Sequence, residues 1–444
     1  MSERLSVVYE TQVVATLERQ DDGTLELSYT DLAYEIAEGR VLLSASLPVR
    51  RDPYGSGELM PFFDGLLPEQ FVRQRLATRL RLEPGDVFGF LREIGRECAG
   101  AFSVIPEGVD PIAAQAEGVA WLSDDELAAA VSDLPSRPLG VEPSQDIRIS
   151  LAGAQDKLVV VVAGGRIGLP RGTTPSTHIL KPTSQLVHGR RRQRAFPGLV
   201  ANEAFCMRLG DLSGLNVPPV ELMMIDREPA LIIKRYDREI SDGRIRRLHQ
   251  EDFCQALGVP SYRKYQKDDG PGLPEYLNLI GRYSSKVVDD EPELIARIAF
   301  NYVIGNADAH AKNFALLYPE LGVARLAPAY DLVSTHVYSH LTHDMATSIN
   351  GMYDSRALQP VHWQKELSRL GLRERLYSER LNELADRVEA ALPKALDWIA
   401  AEGVRNRITD SIAGLVNKRL AVLRGVRELP APTSRAERRG GPAG

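Results

Sequence analysis

Cysteine is scarce in this chain of 444 residues, long apolar runs are missing, and neither sign of charge dominates. Cys98, Cys206 and Cys254 are scattered without metal-ligand spacing and cannot all pair, so the reading is three reduced, buried thiols in a reducing, cytoplasmic setting. No stretch approaches the roughly 18 apolar residues of a membrane span, which excludes the membrane as a partner. The opening "MSERLSVVYETQVV" has no basic region leading into an apolar one, so no signal peptide is expected. A formal net charge of −6 offers no global attraction to nucleic acid, and no internal repeat is visible.

What is present suits a soluble protein of two or three structural units, with 43% hydrophobic and 26% charged residues. Residues 5–29 alternate apolar and polar side chains about "QDDGT", which predicts a β-hairpin, and "ECAGAFSVIP" predicts another strand. Between them "LLPEQFVRQRLATRL" has helical period, so residues 1–135 form a small α+β unit ahead of a Pro- and Ser-rich linker, "VSDLPSRPLGVEPSQD". Residues 146–240 are strand-rich: "KLVVVVAGGRIGL", "THILKPT", the helix "LVANEAFCMRLGDLSG", then a hairpin turning at "DREP". From Gln250 the period is almost wholly helical, with short exceptions at "FALLY" and "PAYDLVS", giving a helical unit over 241–429. The tail 430–444 has the composition of disorder. A strand-rich lobe joined to a helical one near "KRYDREISDG" leaves a cleft, a common place for a ligand. Of two basic segments, "HGRRRQR" (188–194) is either solvated charge or a binding segment for an acidic or phosphate-bearing group, and the stripe over 405–427 reads as a solvated helix face.

Polar groups crowd into "NADAHAKNFALLY", directly after an apolar helix. Asp308 and Asn313 have D-x-x-x-x-N spacing, and Asp331 follows in "APAYDLVS". Phosphoryl transfer needs a carboxylate beside the attacking hydroxyl and oxygen ligands for Mg²⁺, so Asp308 is the candidate base and Asn313 and Asp331 the candidate metal ligands. Upstream, Lys181 ends a strand and Glu203 lies in the next helix, the pair that would hold a phosphate-binding ammonium in place. Each is commonplace alone, since a strand-end Lys is usually solvated and a helix Glu often complements the dipole. Their order is what a kinase fold requires. "RISLAGAQDKLVV" places a turn at Gly153 before a strand but lacks both glycine-rich phosphate signatures.

Together, "RISLAGAQDKLVV", "THILKP", "NEAFCM", "IIKRYDR", "QEDFCQALG", "NADAHAKNF" and "APAYDL" resemble the HipA family of serine/threonine kinases, the toxins of bacterial toxin–antitoxin pairs. "FFDGLLPE" is similar to that family's N-terminal subdomain. The resemblance implies an α+β, two-lobed protein-kinase-like fold with a strand-rich N-lobe, a small N-terminal α+β subdomain and an all-helical C-lobe. It implies that Ala152, Gly153, Ala154 and Gln155 lie in the phosphate loop, that Ser150 is self-phosphorylated, and that Lys157 and Lys181 contact the nucleotide. Lys234, Tyr236 and Asp237 belong to the hinge segment beside the adenine, with Tyr236 packing either on the base or between the lobes. ATP and Mg²⁺ are the implied cofactors. A HipB-like, dimeric DNA-binding antitoxin is the implied partner, with DNA reached only through it. The implied substrate is a cytoplasmic protein, aminoacyl-tRNA synthetases being among that family's targets.

Two residues beyond Asp308, where many kinases carry a lysine, stands His310, and the lysine comes at Lys312. Either could stabilise transition-state charge, or His310 could hydrogen-bond the loop. Gln250 and Asp252 open the helical lobe, where one can cap a helix. A small-molecule phosphotransferase and a non-catalytic pseudokinase scaffold in a DNA-bound repressor complex are the alternatives. A metal-dependent hydrolase would use His310, His336, His340 and His343 with nearby Asp residues, but "HVYSHLTHD" contains no H-E-x-x-H.

Overall fold

The computed structural model describes residues 3–37, 39–111, 118–141, 155–172, 174–183, 186–188, 191–193, 196–241 and 244–426. Ser150, Ala152, Gly153 and Ala154, residues 142–146 of the expected linker and the tail 430–444 lie outside the described residues. Strands β1 (Glu3–Tyr9), β2 (Gln12–Arg19) and β3 (Leu25–Tyr29) form an antiparallel meander. The segment 5–29 is thus three strands rather than one hairpin, because Glu10, at φ 54°, makes a second tight turn between Tyr9 and Gln12. After α1 (Asp31–Ala37), the short β4 (Tyr54–Gly55) joins one edge and β5 (Phe102–Pro106) the other, in the order β4-β3-β2-β1-β5. Helices α2 (Ser56–Gly65), α3 (Gln70–Leu80) and α4 (Val87–Ile94) bring Phe62, Phe63, Leu76 and Phe88 into one core with Leu5, Leu17 and Leu27.

β6 (Val119–Trp121) precedes α5 (Asp124–Ser132), and β7 (Leu158–Ala163), β8 (Arg166–Pro170) and β9 (His178–Pro182) follow. A small hairpin, β10 (Leu186–His188) with β11 (Arg191–Gln193), leads to α6 (Leu199–Leu212), β12 (Val220–Ile225) and β13 (Glu228–Lys234). Six of these strands make one antiparallel sheet, β12-β13-β9-β7-β8-β6. The β12–β13 turn is Asp226-Arg227, both at positive φ, the twist a two-residue hairpin needs. Because β6 pairs with β8, residues 119–121 belong to this sheet and not to the N-terminal unit expected to run to 135. Nor are the cores separate. Along β13, Ala230 and Ile232 face the core of the N-terminal unit, while Leu231 and Ile233 face a second core with α6 and the helices that follow. The period-2 alternation of a strand buried on both faces thereby joins the two cores.

β14 (Arg238–Ser241), β15 (Arg244–Arg247) and β16 (His249–Asp252) come next, and Asp252 caps α7 (Phe253–Ala256) by accepting the Gln255 N–H. Helices α8 (Leu273–Tyr283) and α9 (Val287–Ile304) precede β17 (Ala315–Glu320) and β18 (Val323–Leu326), which complete a β16-β17-β18 sheet. A hairpin, β19 (Asp344–Ile349) with β20 (Met352–Asp354), lies before α10 (Pro360–Arg369), α11 (Glu374–Ala401) and α12 (Arg407–Gly425). The expectation of an all-helical C-terminal part is therefore corrected. "HQED" and "VARL" are too short and polar to display a strand period, and the hairpin turns on Asn350-Gly351, a two-residue signal that the helical reading passed over.

In the basic stripe, Arg419 is buried and donates to the Tyr302 carbonyl, while Arg405 pairs with Asp410 and Arg424 with Asp386 and Glu389. All three cysteines are buried and free. Among the described residues no helix is long and apolar enough to cross a membrane.

Candidate functional site

Helix α9 ends because Gly305 adopts φ 75°, where a Cβ would also lie 2.5 Å from Leu415. The polar run that follows satisfies its own backbone: the Asn306 side chain accepts the Asp308 N–H at 3.0 Å, and the Thr335 hydroxyl accepts that of Ala307 at 2.9 Å. Asn313 donates its amide to the Asp308 carbonyl at 3.0 Å, which turns the D-x-x-x-x-N spacing into one closed loop. The Asp308 carboxylate accepts the Tyr265 hydroxyl, and His310 Nε2 stands 4.0 Å from it. Burial raises the Asp308 pKa, opposed by the Tyr265 hydrogen bond, a direction that suits a proton acceptor.

Lys181, at the end of β9, and Glu203, inside α6, meet at 2.6 Å, and the same ammonium lies 2.9 Å from Asp331. Burial would drive Lys181 down, but Asp331 and Glu203 outweigh it and keep the ammonium charged. Lys181 in turn holds Asp331 ionised, at about 2, although its side chain is 41% exposed. Asp331 adopts φ 57°, a left-handed conformation that few residues besides Gly, Asn and Asp take up, maintained by its surroundings. Among those, Asn202 of α6 clamps Ser334 with two 2.8 Å hydrogen bonds. Lys157 is buried in the same electrostatic neighbourhood, lowered to about 8 by burial and by Lys181. Gln155 is half-buried beside it, with a buried Nε2 that has no hydrogen-bond partner among the described residues.

These residues fit a divalent cation and a polyphosphate. Asp331 is an ionised oxygen donor open to solvent, and Asn313 spends its N–H₂ on the loop, leaving its carbonyl oxygen as a ligand. Two buried ammonium groups supply the positive charge phosphates need. Among the described residues, no three His, Cys, Asp or Glu side chains gather as a metal site.

Other expected residues are placed elsewhere. Lys234 is exposed at the end of β13. Asp237 is buried in ion pairs with Arg235 and Arg238, which also reach Glu97 of the N-terminal unit. Tyr236 stacks on Tyr330, with centroids 5.8 Å apart, and bonds Gln250 through its hydroxyl. Lys312 is buried against Asp252 at 2.8 Å and Glu69 at 3.7 Å. His310 is held neutral, at about 3, by burial and by the neighbouring Lys264. Sequence reasoning assigned no role to Tyr265, Glu69 or Glu97, which lie 43, 239 and 138 positions from the groups they serve, Asp308, Asp308's loop and Arg235; Glu69 ends the quoted "FFDGLLPE" and Glu97 opens "ECAGAFSVIP", but neither segment shows its distant partner.

Compared with known proteins, residues 149–392 match the family described as HipA-like C-terminal domain, and residues 5–105 the HipA N-terminal domain. A putative kinase, Y4mE of Sinorhizobium fredii, is 36% identical over 419 residues, covering 92% of this chain and 97% of its own. The serine/threonine-protein kinase toxin HipA of Shewanella oneidensis is 28% identical over 368 residues, covering 80% of this chain and 81% of its own. A solved complex of HipA, HipB and operator DNA from Shewanella oneidensis contains a chain with a TM-score of 0.79 at 24% identity. The match covers 96% of this chain and 100% of that one, a likeness of fold.

Proposed function

The chain belongs to the HipA family, and on that premise we propose that it is a kinase moving the terminal phosphoryl group of ATP to a serine or threonine hydroxyl of a cytoplasmic protein. The observation that carries the reading is the Lys181 ammonium shared between Glu203 and Asp331, with Asp308 and Asn313 on the adjoining loop. In this reading the six-stranded sheet and α6 are the N-lobe, the residues after about 241 the C-lobe, and the first sheet an N-terminal subdomain packed on the N-lobe.

Lys157 and Lys181 bind and orient the phosphates, and Glu203 fixes Lys181 so that its charge needs no reorganisation during transfer. Asp308 orients the attacking hydroxyl and takes its proton as the new bond forms. Mg²⁺, when bound, neutralises phosphate oxygens, and Asn313 and Asp331 would hold it. Ser150 is the self-phosphorylation site; a phosphate there adds about −1.5 to −2 charges and competes for the donors that hold the nucleotide. The partners are a HipB-like dimeric antitoxin that carries the chain to DNA, and a target of the aminoacyl-tRNA synthetase class. The names of the Shewanella relatives support the kinase, toxin and antitoxin elements of this reading.

Incubation of the purified chain with radiolabelled ATP, Mg²⁺ and a cytoplasmic lysate tests it. The parent should label itself at Ser150 and one or few targets. Asp308→Asn, nearly unchanged in volume, should bind ATP and transfer nothing. Equal transfer by parent and variant would remove Asp308 from the mechanism.

A further inference from the structure

Resting on the kinase reading above, we propose that Tyr265 is a positioning residue for Asp308: its hydroxyl holds carboxylate oxygen Oδ1 and so aims Oδ2 at the incoming substrate hydroxyl. The contact is direct, phenol to Oδ1, and the ring is braced edge-on against His310 with centroids 5.1 Å apart. A carboxylate with one oxygen pinned loses rotational freedom, which is what a base must lose before it can accept a proton along one direction.

The segment that carries Tyr265 is built to keep it there. The Tyr265 carbonyl accepts the N–H groups of Asp268 and Gly270, each at 3.0 Å, and the Lys264 carbonyl accepts that of Ala311 in the catalytic loop at 3.2 Å. Gly270 approaches so closely that a Cβ would lie 2.0 Å from the Arg263 carbonyl oxygen and 2.5 Å from that of Tyr265. The N-terminal unit holds the other side: Ser261 donates to Asp64 at 2.6 Å, and Lys264 pairs with Glu69 at 2.6 Å. The N-terminal unit therefore reaches the proposed base through a strap, from α2 and the start of α3 to Tyr265 and on to Asp308.

Tyr265→Phe keeps the ring and removes only the hydroxyl. We expect kcat for phosphate transfer to fall about tenfold or more, with the KM for ATP and the thermal midpoint unchanged. Gly270→Ala, which must displace the strap while leaving the hydroxyl in the chain, should lower kcat with an unchanged KM for ATP and, because the new Cβ meets backbone oxygens, should lower the thermal midpoint as well. Parental kcat in Tyr265→Phe overturns the proposal, as does a loss of kcat in that variant matched by a rise in the KM for ATP or a lower thermal midpoint. A parent that transfers no phosphate under any of these conditions overturns the kinase reading and this inference with it; an active parent with an unaffected Tyr265→Phe overturns this inference alone.

Discussion

Replacing Glu203 by Gln removes one charge from the centre of the site while keeping the side chain's volume and an acceptor oxygen. Lys181 and Glu203 are 2.6 Å apart, with side chains only 9% and 2% exposed, so salt and water screen them weakly. At an effective dielectric constant of about 20, such charges attract by about 6 kcal/mol, most of it offset by desolvation. What remains is the worth of a hydrogen bond between charged groups, roughly 1.5–3 kcal/mol. Without it the ammonium keeps one carboxylate partner, Asp331 at 2.9 Å, and settles on the oxygen donor that the metal needs. A loss of about 2 kcal/mol corresponds to a roughly thirtyfold rise in the Kd for Mg-ATP. Calorimetric titration of parent and Glu203→Gln with Mg-ATP at fixed salt measures this, and a Mg²⁺ titration of transfer should move to higher concentration in the variant. Parental affinity together with a parental Mg²⁺ requirement would show that Glu203 does not hold Lys181 for the phosphates.

Glu97→Gln should destabilise the chain by about 3–5 kcal/mol in chemical denaturation, because it leaves the buried guanidinium groups of Arg235, Arg238 and Arg247 short of a counter-charge; an unchanged midpoint would refute this. Against burial, Arg247, Arg238 and Arg235 hold Glu97 at about 2, below its ordinary 4.5, so its contribution is complete above about pH 4.5 and is lost as pH falls toward 2. Glu251 behaves oppositely: burial pushes it up to about 7 from 4.5, despite hydrogen bonds from Ser44, Tyr318 and the Ala45 N–H. Its contribution is complete below about pH 4.5 and lost as pH rises through 7, an effect on the order of 3 kcal/mol. The stability difference between parent and Glu251→Gln should change by that amount between pH 4.5 and 8, and a difference independent of pH would refute the assignment.

The chain's local chemistry was legible in its sequence. Asp308 and Asn313 lie five positions apart because one short loop must close on itself after a glycine-terminated helix, and Lys181 and Glu203 sit on a strand and the helix after it. Patterns of that range are encoded by spacing alone. The polar contacts that cross the fold were not: Tyr265 to Asp308, Glu97 to Arg235, Lys312 to Asp252 and Arg419 to Tyr302 each join distant segments. Before folding, Lys312 and Asp308 are near neighbours with equal claim to the chemistry; the packing of α2 and α7 against the loop draws the lysine into buried carboxylates and leaves the aspartate side chain half-exposed. Burial decides such cases, because a charge removed from water must find its partner, and which partner is within reach is a property of the assembled chain.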